Sequence, residues 1–221
     1  MKVNILHGQQ GAKKAKGTVI VIDVIRASTT LITLVANGVQ KVIISPTIEG
    51  AYLLKKRFPH AILVGERYGI LPLGFDYDNS PSHILAHDLK NSTIIFTTTN
   101  GSHAILNAHK ADKFLIGSFI NASSIVKYLR RNKPKYVSLL AVGSKSPGRI
   151  EDEACARYLQ DLLIGKKSNV EKIRSKILKS ITADRLEKFK DNGDLDICLS
   201  LDRYTTIPKV KKSGEMMIVS F

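Results

Sequence analysis

Runs of apolar, β-branched residues recur along this chain. Each is followed by a polar turn and then by a stretch whose apolar positions have helical spacing. The pattern predicts strands over Thr18–Val24, Lys41–Ser45, Ala61–Val64, Thr93–Thr98, Lys113–Ile116, Lys135–Ala141 and Met216–Val219. It predicts helices over Ser28–Asn37, Ile48–Arg57, Ser102–His109, Ala122–Arg131, Glu151–Leu163, Val170–Leu178, Ala183–Phe189 and Leu195–Ser200. Strands alternating with helices imply βαβ units, and near-continuous apolar runs suit strands covered on both faces. The expected fold class is α/β: three α/β/α layers around a mainly parallel or mixed central sheet. Beyond Gly165 the pattern changes, and residues 166–200 are polar, lysine-rich and helical in spacing. They are expected to form a helical C-terminal subdomain packed on a single domain spanning 1–221. So short a segment, poor in apolar residues, does not bury enough surface to fold alone.

Ligand sites of such folds gather at the carboxyl ends of strands, so the polar residues there are the candidates. The first predicted strand runs into Asp23-Val24-Ile25-Arg26-Ala27-Ser28-Thr29-Thr30. Asp23 suits a hard cation such as Mg²⁺, and Arg26 offers a planar fork to phosphate or carboxylate. Ser28, Thr29 and Thr30 are natural N-cap residues at a helix start that presents N–H groups to an anion. The plainer alternative is a buried strand whose Asp23 caps the turn or pairs with Arg26. Gly65-Glu66-Arg67 repeats the acid–arginine chemistry after a glycine that permits a tight turn. It leads into Gly74-Phe75-Asp76-Tyr77-Asp78-Asn79-Ser80-Pro81, a loop of turn formers that can cap a helix with Pro81 in its first position.

Thr97-Thr98-Thr99-Asn100-Gly101-Ser102 is a third such strand end. An ordinary N-cap needs one hydroxyl or amide residue rather than five, so a phosphate- or sulfonate-binding turn is expected here. The last is a Gly143–Gly148 loop bearing Lys145, followed by Arg149 and by Glu151-Asp152-Glu153 at a helix start. Acids suit that end of a helix dipole, and a metal site requires one or two of them to face Asp23. Cys155 shares their helix face, but nearby acids raise a thiol pKa and no Cys-x₅-Arg loop follows, so a packed, inert cysteine is expected.

The net charge of +15 favours anionic partners. Lysines such as Lys166, Lys172 and Lys176 are scattered over helix faces, without interleaved aromatics or a nucleic-acid-binding motif. That distribution argues for a solvated surface and small anions over nucleic acid. No 18-residue apolar stretch implies a membrane span. Two cysteines, Cys155 and Cys198, make no disulfide framework, which suits a reducing cytoplasm. His83 and His87 have i,i+4 spacing but no evident third ligand, and are expected at the surface.

Taken in order, these segments resemble the 2-phosphosulfolactate phosphatase family, a Mg²⁺-dependent group known from coenzyme M biosynthesis. The resemblance rests on Val21 to Thr30, Gly65 to Arg67, Gly74 to Pro81, Thr97 to Ser102 and Ile150 to Cys155. A weaker tail match consists of Asp194, Cys198, Asp202 and Pro208. The chain departs from the family in having Ala156-Arg157 after the motif cysteine. The resemblance implies hydrolysis of 2-phosphosulfolactate, or of a related phosphorylated carboxylic acid, to sulfolactate and phosphate in the cytoplasm. Mg²⁺ is expected on Asp23 with one or more of Glu66, Glu151 and Asp152. Arg26 and Arg67 are expected to stabilise the phosphoryl charge, and Asp76 is the candidate general acid or nucleophile. Ser28, Thr29, Asn79, Ser80, Thr98, Thr99, Asn100 and Gly101 are the candidates for holding substrate oxygens. The expected partner is a small anionic phosphorylated substrate, with no nucleic acid and no membrane; a homodimer is left open. A non-catalytic binder of a phosphorylated metabolite is the alternative.

Overall fold

A computed structural model describes residues 1–143, 150–181, 193–213 and 216–221. The described strands are β1 (Lys2–His7), β2 (Lys16–Ile22), β3 (Lys41–Ser45), β4 (Ile62–Gly65), β5 (Thr93–Thr97), β6 (Lys110–Gly117), β7 (Tyr136–Ala141), β8 (Lys209–Ser213) and β9 (Met216–Ser220). The described helices are α1 (Gly8–Lys14), α2 (Ala27–Ala36), α3 (Ile48–Arg57), α4 (Pro81–Leu85), α5 (Gly101–Asn107), α6 (Ala122–Asn132), α7 (Glu151–Leu163), α8 (Val170–Ser180) and α9 (Asp194–Cys198). The strands form one sheet in the order β1-β7-β2-β6-β8-β9-β3-β5-β4. Neighbours within β1-β7-β2-β6 are parallel, as are those within β3-β5-β4. Between these blocks lie β8 and β9, antiparallel to each other, to β6 and to β3 respectively. The sheet is therefore mixed.

The apolar runs are continuous because both faces of the sheet are covered. Val19 and Val21 of β2 pack with residues of α1, α2 and α5, while Ile20 and Ile22 point the other way, towards α6 and α7. Ile177 of α8 and Cys198 of α9 join this second face. Ala51 of α3 packs with Leu63 and Ile95 in a smaller cluster. The result is a three-layer α/β/α fold. No helix among the described residues is long and apolar enough to cross a membrane.

All seven predicted strands are present, and β3, α3 and α7 have the predicted limits. The structure adds β1, α1, β8 and α4. β1 is an edge strand whose residues are at best half-buried, so it has no apolar run to read. β8 carries three lysines in five residues and looks solvated, yet its Val210 is buried against the core. α4 is five residues long, too short to show helical periodicity, although Pro81 does occupy its first position. The predicted helix Ala183–Phe189 and the Gly143–Gly148 loop beyond Gly143, with Lys145 and Arg149, lie outside the described residues.

The end of β4 depends on Gly65. Its φ is +154°, and a Cβ there would lie 2.1 Å from the Thr97 carbonyl oxygen on β5. Neither the conformation nor the space admits a side chain. Gly65→Ala is expected to lower stability by about 3 kcal/mol, read as a fall in the denaturation midpoint. An unchanged midpoint would mean that β4 and β5 separate there at no cost.

Candidate active site

Three hydroxyl residues fold the chain after β2 into a fixed turn. The Asp23 N–H donates to Ser28 Oγ at 2.9 Å, and Ser28 Oγ lies 3.2 Å from the Val21 carbonyl. Thr29 Oγ1 donates to the Val24 carbonyl at 2.8 Å and meets Ser118 Oγ at 2.9 Å. Thr30 Oγ1 reaches the carbonyls of Arg26 and Asn79. The helix starts at Ala27, with Arg26 in the N-cap position. The hydroxyls therefore lie inside the first turn and bond strand and loop, instead of capping the helix. Thr29, expected to hold substrate, has no exposed surface and Ser28 almost none. Ser28 lines the site's cavity, and Thr29 lies behind it against Ser118.

Arg26 extends into a cluster of acids. Its Nη1 lies 2.8 Å from Asp194 Oδ2 and 3.3 Å from Asp78 Oδ2. Asp78 also accepts from the Ser80 N–H at 3.2 Å and contacts His83 Nδ1 at 2.9 Å. Ser80, expected to touch substrate, is fully buried; it caps α4 and donates to Asp194 at 2.7 Å. Asn79 is buried beside it, and its Oδ1 has no hydrogen-bond partner among the described residues.

The second strand end is organised by Glu66. Its carboxylate accepts from the N–H groups of Gly69 and Thr99, both at 2.7 Å, and from Thr99 Oγ1 at 2.9 Å. Glu66, expected among the metal ligands, thus holds two loops together, and Thr99 is committed to it. Arg67 lies across the ends of β5 and β3, donating to Thr97 Oγ1 at 2.9 Å, the Thr98 carbonyl at 3.2 Å and the Pro46 carbonyl at 3.3 Å. Thr98 and Ser102 exchange backbone-to-hydroxyl bonds of 3.3 and 3.4 Å, closing the start of α5. Asn100 is half-exposed and its side chain makes no capping bond.

Asp76, the candidate general acid or nucleophile, bonds the edge of β4. This exposed residue accepts from the Leu63 N–H at 2.7 Å, while its own N–H donates to the Leu63 carbonyl. It satisfies the outer edge of β4 part-way along the strand, before the carboxyl end where a reacting group belongs. An unpaired strand edge needs such partners, and the sequence offers no way to distinguish this duty from catalysis.

The two strand ends meet at Gly101. A Cβ there would stand 4.0 Å from Asp23 Oδ2 and 3.1 Å from Thr98 Oγ1. A cavity of ≈ 20 Å³, room for one water, is lined in part by Asp23, Ser28, Thr98, Gly101 and Ser102. The third strand end supplies Glu151 and Asp152, both buried in the first turn of α7. Asp152 accepts from the N–H groups of Val24 and Gly143, each at 2.7 Å, and so ties the ends of β2 and β7 together. Among the described residues, no three His, Cys, Asp or Glu side chains are grouped to hold a metal ion. Of the four carboxylates expected to hold a metal, Glu66 and Asp152 accept from backbone N–H groups.

A family profile described as 2-phosphosulpholactate phosphatase matches residues 5–213, a span that takes in every segment of this site. The chain belongs to this family. It is 33% identical to a probable 2-phosphosulfolactate phosphatase of Carboxydothermus hydrogenoformans, over 100% of the chain and 98% of that protein. Probable 2-phosphosulfolactate phosphatases of Thermoplasma volcanium and Bacillus subtilis are 32% and 28% identical, over 86% and 98% of the chain and 87% and 96% of their own lengths.

The electrostatics of this family member's site centre on Asp152. Burial pushes its carboxyl well above the usual range, the charges of Asp23 and Glu151 add to the rise, and the two N–H bonds oppose it. A raised folded value means that the native state holds this proton more tightly than the unfolded chain does. Stability is therefore expected to fall as pH rises from the ordinary carboxylate range towards the folded value, by up to about 1.4 kcal/mol per pH unit. Denaturant midpoints of the parent and Asp152→Asn, measured in EDTA across that range, check this. The parent's advantage should shrink with rising pH, and parallel curves would refute it. Cys155 is fully buried, and burial and then the Asp152 charge push its thiol up, as expected for an inert cysteine. His83 and His87 are both exposed, also as expected.

Three elements of the site escaped the sequence reading. Asp78 sits within a loop of turn formers and reads as a turn residue. Asp194 stands 168 residues from the arginine it grips, and only the weak tail of the family resemblance marked it. The Pro46 carbonyl that holds Arg67 is a backbone group, which no residue pattern announces.

Proposed function

We propose that this chain is a magnesium-dependent phosphatase that hydrolyses 2-phosphosulfolactate, or a related phosphorylated carboxylic acid, to sulfolactate and inorganic phosphate. The observation that carries the reading is the pair of acid–arginine strand ends, Asp23–Arg26 after β2 and Glu66–Arg67 after β4, in a chain of this family.

Arg26 and Arg67 are the groups suited to phosphoryl oxygens, because a planar guanidinium fork matches them and stabilises charge that builds in the transition state. Arg67 is anchored by three acceptors and so keeps one orientation. Gly101, beside Asp23, and Asn100 before it are the residues after β5 suited to contact substrate oxygens. Mg²⁺ commonly takes one or two carboxylates and completes its shell with water and substrate phosphate. Asp23, with one or more of Glu66, Glu151 and Asp152, would hold the cation. When bound, the cation neutralises phosphate charge and orients the attacking group. The net charge of +15 favours encounter with a multiply charged anion.

The test is phosphate release from 2-phosphosulfolactate and a panel of phosphorylated carboxylic acids, with Mg²⁺ and with EDTA. Mg²⁺-dependent turnover favouring the sulfonated compound is the expected result. Preference for another phosphoester would reassign the substrate. Binding without release from any compound would replace the enzyme with a binding protein.

A further inference from the structure

Asp194 opens α9 on the second face of the sheet, yet its side chain ends at the turn that carries Arg26. The residue has no exposed surface. Its Oδ2 accepts from Arg26 Nη1 at 2.8 Å. Its Oδ1 takes three donors from the α4 entry: Ser80 Oγ at 2.7 Å, Ser82 Oγ at 2.8 Å and the Ser82 N–H at 3.0 Å. With donors on both oxygens, the carboxylate cannot turn without losing bonds, and a buried network satisfied in this way is rigid.

The same nitrogen of Arg26 also meets Asp78 at 3.3 Å, and the Arg26 side chain is only 9% exposed. Two carboxylates against one guanidinium more than cancel its positive charge. The pair therefore adds little to the long-range attraction of an anion. What it supplies is direction: a delocalised, planar group gripped at one terminal nitrogen has its plane fixed. An aimed donor acts mainly in the transition state, whereas substrate encounter draws on the charge of the whole surface.

We infer that Asp194 is a positioning residue for phosphoryl transfer, holding the Arg26 guanidinium in the orientation that meets the phosphoryl group. The inference rests on the phosphatase reading above.

The test is Asp194→Asn, assayed with the parent's best substrate from the panel. Asparagine keeps the shape but turns one end of the group into a donor. Either Arg26 or the Ser82 N–H then faces a donor where it had an acceptor. The expected result is a fall in kcat of about 10–100-fold, with KM within about threefold of the parent. In the Arg26→Ala background the same substitution should change kcat by less than about twofold, because the group it orients is gone. A purely structural role would lower the melting temperature and leave both constants in place below it. If Asp194→Asn does not fold, Ser82→Ala decides, since it loosens the carboxylate while keeping the ion pair; a smaller fall in kcat at unchanged KM is expected. The inference is overturned by a parental kcat in the variant that folds, or by losses that multiply in the double variant. A parent that releases no phosphate from any compound would overturn the phosphatase reading and the inference with it; an active parent beside a fully active variant sinks the inference alone.

Discussion

Asp23→Asn is expected to reduce phosphate release by at least about 10³-fold, some 4 kcal/mol of transition-state stabilisation, while leaving the protein folded. The turn that carries Asp23 is built from its backbone: its N–H bonds Ser28 Oγ and its carbonyl accepts from the Ser28 N–H. These two bonds do not involve the carboxylate. Its charge is in fact a burden, because it helps push up the buried Asp152 carboxyl. Removing it should leave the melting temperature unchanged or raise it, the usual trade between a strained site and stability. The two readouts together are diagnostic. Lost turnover in an equally or more stable protein marks Asp23 as part of the chemistry, and turnover within tenfold of the parent would remove it from the proposed site.

Arg67→Ala should cost about 10²–10³ in kcat, the loss commonly seen when one preorganised donor to a developing oxyanion is deleted. Arg67 reaches Thr97, Thr98 and Pro46 at once, which needs several N–H groups in a fixed plane. A lysine carries one nitrogen on a flexible stem and cannot make that set. Arg67→Lys should therefore recover little activity, although it keeps the charge. Steady-state kinetics of both variants separate geometry from charge, and full activity in Arg67→Lys would show that only the charge matters. Arg67 is half-exposed, so neither change should lower the melting temperature much.

The layered architecture was legible because burial on both faces forces β2, β3 and β5 into unbroken apolar runs, and because α6 and α7 carry one apolar face each. The polar strand ends were legible as places. The duties of single residues were not. Ser28, Thr29 and Glu66 have the chemistry to hold a ligand or a cation, but the same chemistry satisfies the backbone of a tight turn, and the structure uses it there. Asp76 makes a bond of the same kind at a sheet edge. Conversely, the grip on Arg26 joins residues from distant segments, and local pattern carries no information about such a contact. β8 stayed hidden because its lysines dominate a sequence in which Val210 is turned to the core.

The antiparallel pair β8–β9 has a further consequence for the order of assembly. It is made after every strand it joins, yet it occupies the middle of the sheet, between β6 and β3. A nascent chain can zip β1, β7, β2 and β6, and separately β3, β5 and β4, but the two blocks remain with unpaired inner edges until residues 209–220 leave the ribosome. Such late, long-range closure makes for slow folding and leaves strand edges open to intermolecular pairing in the meantime.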